Sequence, residues 1–193
     1  MGLPALTLQY AQSRIAQFDG DDRYFGADKA VGLVFSAWPL NTKLEEVIVK
    51  VVVLDRLYST RILSPWPVAE RIVELTIDTR LVAGDHSLVH DIANTRTGGK
   101  SRYLLSFASK YCAWHRPDQF QIFDSLVEDL LWRYRREHRY DDFRRYELRT
   151  YSRFLKAIDR FRLHFGLESL TRKQLDKFLW IEAKQMQAQP QSK

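Results

Sequence analysis

Between Thr97 and Trp132 the chain reads TGGKSRYLLSFASKYCAWHRPDQFQIFDSLVEDLLW, and the order of local signals in it limits what can surround it. Gly98 and Gly99 free the backbone for a tight turn or a close approach to a ligand. Lys100 and Ser101 are then expected to open a helix, because Tyr103, Leu104, Phe107, Ala108, Tyr111 and Cys112 fall at helical spacing. Pro117 restricts the residue before it and closes that helix. A short loop carrying Trp114, His115 and Phe120 follows. It delivers Asp124 and Ser125 where a helix N-cap belongs, directly before Leu126, Val127, Leu130 and Leu131. An acid at a helix start below an aromatic loop suits either a cap or a reaction centre, and the two roles are compatible.

The flanks predict an all-helical frame. Leu6, Tyr10, Ile15 and Phe18 mark an amphipathic first helix, GDDRYFG at 20–26 a loop, and Ala27–Trp38 a second helix stopped by Pro39. Thr42 and Glu45 have the spacing of a capping box. The run VIVKVVVLDRLYSTRI at 47–62 has strand propensity in its valines. Its length and the Leu44, Val47, Val51, Leu54, Tyr58 spacing assign it to a buried helix. Shorter elements are expected after Pro67, around Asp78 and after Asp85. A long helix is expected from about Phe143 to Phe165 with Gly166 as its stop, and a last helix behind a Thr171–Gln174 capping box. The expectation is one all-α domain over 1–193, built as two packed helical lobes with the central lobe at about 40–132.

Charge and cysteine content narrow the function classes. Thirty Lys and Arg against 24 Asp and Glu give a formal charge of +6 and favour a polyanionic partner. One cysteine, Cys112, leaves no internal disulfide and no cysteine-rich zinc or iron–sulfur site. No metal and no cofactor is expected. No apolar run approaches the roughly 20 residues that span a bilayer. The reading is a soluble, cytoplasmic monomer without a membrane partner. GGKS at 98–101 is not a phosphate-binding P-loop, because Asn94 stands where that motif needs its first glycine. Its turn and lysine still suit a DNA phosphate. Arg133, Arg135, Arg136, Arg139, Arg144, Arg145, Arg149 and Arg153, with tyrosines between them, suit either a phosphate backbone or a salt-bridged helix face.

The sequence of glycine turn, helix, proline loop and acid-capped helix resembles the helix-hairpin-helix DNA glycosylases. In that family the pattern around the essential aspartate is Pro-Val-Asp-Thr-His-Val. Here Gln121-Ile122-Phe123-Asp124-Ser125-Leu126-Val127 keeps Asp124 and Val127 and has serine for threonine. It departs at Gln121 in place of proline, at Leu126 in place of histidine, and by one extra residue.

The resemblance implies an enzyme without an iron–sulfur cluster that binds double-stranded DNA. It would turn a damaged or modified base out of the stack and cleave its N-glycosidic bond, leaving an abasic site. Repair of oxidised or alkylated bases and defence against phage DNA carrying modified cytosine both fall within it. It implies Asp124 as the catalytic carboxylate and Gly98, Gly99, Lys100, Ser101 and Arg102 as the DNA grip. Asp55, Tyr58, Trp114, His115, Phe120 and Phe123 are the implied base pocket. Members with lyase activity carry a nucleophilic lysine before the aspartate. Lys110 lies 14 residues ahead of Asp124 and Lys100 lies 24 ahead. Lys110, inside a helix, is the candidate nucleophile and Lys100 the candidate phosphate contact. The rival class is a non-catalytic helical module that binds nucleic acid or protein and needs the arginine face but not Asp124.

Overall fold

The computed structural model describes residues 4–97 and 100–188. Among these the chain is mostly helical, with ten α-helices, one short 3-10 helix and a two-stranded hairpin. It divides into two compact units, Phe25–Ile122 and the pair of segments Met1–Tyr24 with Phe123–Lys193.

The Phe25–Ile122 unit holds most of α2 (Asp22–Ala37), then α3 (Leu44–Tyr58), α4 (Pro65–Glu74), α5 (Asp78–Val82) and α6 (Ser87–Ala93). Strands β1 (Asn94–Thr97) and β2 (Lys100–Tyr103) follow, and α7 (Leu105–His115) completes it. The valine-rich run forms a helix because its burial pattern has a period of 3.6. Val47, Val51 and Leu54 are fully buried, whereas Val49 and Val52 face solvent. A strand would have alternated every second residue. The inward row of α3 packs on α4 and α7, and α6 packs on α7. Phe107, Ala108 and Tyr111 from α7, Ile72 from α4 and Val89 and Ile92 from α6 are core residues of this unit, each at most 1% exposed.

Three expectations for the chain up to α7 are corrected. Helix α2 starts at Asp22, inside the segment expected to be a loop, with Asp22 in its first turn where a helix N-terminus favours an acid. The Thr42–Glu45 capping box does not form. Lys43 occupies the N-cap without a side-chain bond, and Asn41 turns inward to Asp78. Lys100 and Ser101 do not open a helix. They lie in β2, which pairs antiparallel with β1 in the register Thr97↔Lys100, Arg96↔Ser101, Thr95↔Arg102 and Asn94↔Tyr103. Helix α7 begins only at Leu105. A glycine pair between two short runs with β-compatible Thr and Tyr favours a hairpin, and the main-chain bonds of that ladder prevail over the helical spacing from Tyr103 onward.

The other unit holds α1 (Leu8–Asp19), α8 (Ser125–His138), the 3-10 helix Arg145–Arg149, α9 (Tyr151–His164) and α10 (Arg172–Ala188). Helix α1 packs on α10, and α10 on α8. Buried Glu182 of α10 accepts from the Tyr10 hydroxyl at 2.8 Å and the Arg14 guanidinium at 3.1 Å, tying the first helix to the last. The expected single helix over 143–165 is instead the 3-10 turn followed by α9, since Thr150 has extended backbone between them. The Thr171–Gln174 box is present. Gln174 N–H donates to Thr171 Oγ1 at 3.2 Å, and Thr171 N–H donates to Gln174 Oε1 at 2.9 Å.

Helix α8 ends on Arg139 with φ 51° and ψ 35°, a left-handed position that glycine usually fills. Arg139→Gly should raise stability by about 0.5–1 kcal/mol, because the relieved backbone strain exceeds glycine's entropy cost. An increase in the urea midpoint at unchanged m-value would register it. A drop would mean that the Arg139 side chain holds the fold.

No helix among the described residues is long and apolar enough to cross a membrane. No group of three or more metal-ligating side chains gathers among them.

Candidate functional site

Asp124 caps α8. Its backbone is extended (φ −139°, ψ 144°), and its Oδ1 accepts from Leu126 N–H at 2.9 Å. The side chain is half-buried. Its neighbour Phe123 is buried edge-on to Phe154 of α9, with ring centroids 5.2 Å apart. This contact fixes the residue before the acid, so Phe123 serves as an anchor inside its unit. Buried Val127, Leu130 and Leu131 hold the inner face of α8. The carboxylate therefore stands at a rigid helix start, where the unsatisfied N–H groups and the helix dipole favour negative charge.

The predicted pocket residues of the Phe25–Ile122 unit separate into two groups. Tyr58, Trp114 and His115 come together. The Tyr58 and Trp114 rings meet edge-on at 6.2 Å, and the His115 ring lies 4.8 Å from Phe35. The Tyr58 hydroxyl donates to Asp28 at 2.5 Å. Trp114 packs over Gly32, where an added Cβ would lie 3.6 Å from the indole. Lys110 joins this cluster from α7. It is 2% exposed, its Nζ donates to Ser106 Oγ at 2.7 Å, and it lies 6.0 Å from the Tyr58 ring centroid.

Asp55 and Phe120 are not part of that cluster. The Asp55 carboxylate accepts from Thr60 Oγ1 at 2.7 Å and from Ile62 N–H at 2.9 Å, so it closes the turn after α3. Phe120 is 1% exposed and packs edge-on to His86, whose Nε2 lies 3.0 Å from the Gln119 carbonyl. These contacts pin the proline loop to α6. Of the expected DNA grip, Gly98 and Gly99 lie outside the described residues, as does the Lys100 side chain. Ser101 is exposed and Arg102 half-buried on β2.

Sequence reasoning missed Asp28, Gly32 and Phe35, which all lie on α2. Their spacing of four and then three places them on one face of the helix expected over Ala27–Trp38, a signal that was present but was not read as part of a site. It also missed a buried polar knot. Lys50 Nζ donates to Asn41 Oδ1 (2.6 Å) and to the carbonyls of Leu40 (2.8 Å) and Trp38 (3.0 Å). The Tyr111 hydroxyl donates to the same Asn41 oxygen at 2.6 Å.

Burial tunes several groups in this unit, Cys112 and His115 among them. The Cys112 thiol is pushed well up, which makes it a poor nucleophile. Burial pulls the His115 imidazole down to about 3, with the Lys50 ammonium adding to the effect. His115 is therefore neutral at physiological pH. Below about pH 6.5 the unfolded chain takes up a proton that the folded chain excludes. This part of the stability is complete above pH 6.5 and is lost as pH falls, by about 2 kcal/mol at pH 5. His115→Phe should lose correspondingly less stability between pH 7 and pH 5 in urea titrations. Equal losses in both proteins would remove His115 as the cause.

A family model described as the HI_0787_N N-terminal domain matches residues 10–119. A Haemophilus influenzae protein described as uncharacterized is 34% identical over 147 residues, covering 76% of this chain and 70% of that protein. No solved structure matches.

Proposed function

We propose that this chain, which belongs to the HI_0787_N family, is a DNA glycosylase acting on a damaged or modified base, a reading that rests on its own residues and not on the family. The observation that carries this reading is Asp124, a carboxylate held at the start of α8 by its bond to Leu126 N–H. As the bond from C1′ to the base nitrogen lengthens, the bonding pair leaves with the base and positive charge develops on the deoxyribose. A fixed carboxylate stabilises that charge electrostatically. Water then adds at C1′ and gives up a proton, the base takes one, and an abasic site remains.

Lys110, in the middle of α7, is the candidate nucleophile if the enzyme is also a lyase. Tyr58 and Trp114 supply aromatic faces on which an extruded base could stack. Asp55 and Phe120 have the local roles described above and take no part in the proposed chemistry.

The deciding experiment incubates the protein with duplexes carrying oxidised, alkylated or modified-cytosine bases and scores abasic sites. Base release from at least one duplex is expected. Binding without release from any of them would favour the non-catalytic module, in which Asp124 is a cap alone. Borohydride trapping of an adduct that disappears in Lys110→Ala would identify a lyase. Release without an adduct would identify a water-using enzyme.

A further inference from the structure

The chain's excess of basic residues is concentrated in one segment. Residues 133–162 contain ten arginines and one lysine against five carboxylates, a surplus equal to the +6 of the whole chain. Four of these arginines, Arg135, Arg136, Arg139 and Arg160, line a cleft of about 650 Å³ at the end of α8, with Tyr140 in its wall.

Their geometry is built from below. Asp141, whose side chain has no exposure, takes the Arg153 guanidinium on both oxygens, at 2.9 and 3.0 Å, and also pairs with Arg160. Arg160 is thereby fixed at one edge while 60% of its side chain stays open to solvent. Arg135 lies over the Trp132 ring at 5.4 Å and pairs with Asp142 at 2.9 Å. Among the described residues, neither Arg136 nor Arg139 has a carboxylate partner, and both are exposed. The attraction of a helix C-terminus for cations explains basic residues in the last turn of α8. It does not explain Arg160, which comes from α9. Nor does it explain an arginine kept at the left-handed position of residue 139.

We infer that this cleft binds the sugar–phosphate backbone of duplex DNA, with Arg136 and Arg139 each taking a phosphate and Arg160 lining its edge. Guanidinium groups suit that role, because their planar forks bond two phosphate oxygens at once. The choice of DNA as occupant rests on the glycosylase reading, whereas the geometry of the cleft does not.

The test measures binding to an undamaged duplex by fluorescence anisotropy across a salt series. Arg136→Ala/Arg139→Gly is compared with wild type and with Lys29→Ala/Lys43→Ala, which removes two charges outside the cleft. Glycine at residue 139 suits the local backbone, and circular dichroism confirms that the variant is folded. The slope of log K against log salt should fall by about 2 in the cleft variant and by clearly less in the lysine control. Equal slopes in wild type and cleft variant, equal losses in both variants, or no duplex binding by wild type would each overturn the inference. Asp124→Asn should keep the wild-type slope. Base release with no slope change in the cleft variant would overturn the cleft alone. A slope change without base release from any duplex would overturn the glycosylase reading alone.

Discussion

Asp124→Asn should reduce base release by about 100-fold or more while leaving the fold and the DNA affinity intact. The two side chains have nearly the same shape, and asparagine caps a helix about as well as aspartate does. Leu126 N–H, which donates to Asp124 Oδ1 at 2.9 Å, therefore keeps its acceptor. The substitution removes the negative charge, which is the property the proposed transition state uses, and keeps the oxygen that caps the helix. Single-turnover release from the responsive duplex, measured beside thermal unfolding, separates the two effects. Asp124→Ala should lose activity as well and about 1 kcal/mol of stability, since it leaves the N–H without its partner. Full release by the asparagine variant would reduce Asp124 to a cap and end the assignment.

Asn41→Ala should destabilise the protein by about 3–5 kcal/mol, the scale for stripping a partner from a buried charge. Asn41 is 2% exposed and makes four hydrogen bonds to three residues. Its Oδ1 accepts from Lys50 and Tyr111, and its Nδ2 and backbone N–H donate to the two oxygens of Asp78, at 2.6 and 3.0 Å. Burial already disfavours the Lys50 ammonium, pulling it down to about 8, with Asp78 and Glu46 opposing that pull. Losing the amide oxygen takes one of three acceptors from this cation and the acceptor of the Tyr111 hydroxyl. Urea unfolding at pH 7 measures the loss. A change below about 1 kcal/mol would mean that water replaces the amide.

These two predictions differ in how far they could be read from the chain. Asp124 as a cap followed from its place one residue before an apolar helix, and the Thr171–Gln174 box followed in the same way. The helical state of the valine run followed from its spacing. Asn41 showed only a position next to a supposed capping box. Its four contacts reach to Lys50, Asp78 and Tyr111, as many as 70 residues away.

What the sequence determined by itself was therefore local: the mostly helical state, the cap at Asp124, the box at Thr171 and the stop at Gly166, where φ is 65°. Each depends on atoms within about one helical turn, so short-range periodicity and side-chain chemistry suffice. Only the tertiary structure decided the β-hairpin at 94–103, the early start of α2 and the grouping of Asp28 with Tyr58 and Trp114. The sequestering of Asp55 and Phe120 and the buried acid beneath the arginine cleft also belong there. For the side chains a contact made across the fold outweighed a local option, and at 94–103 the ladder between neighbouring strands outweighed the helical spacing.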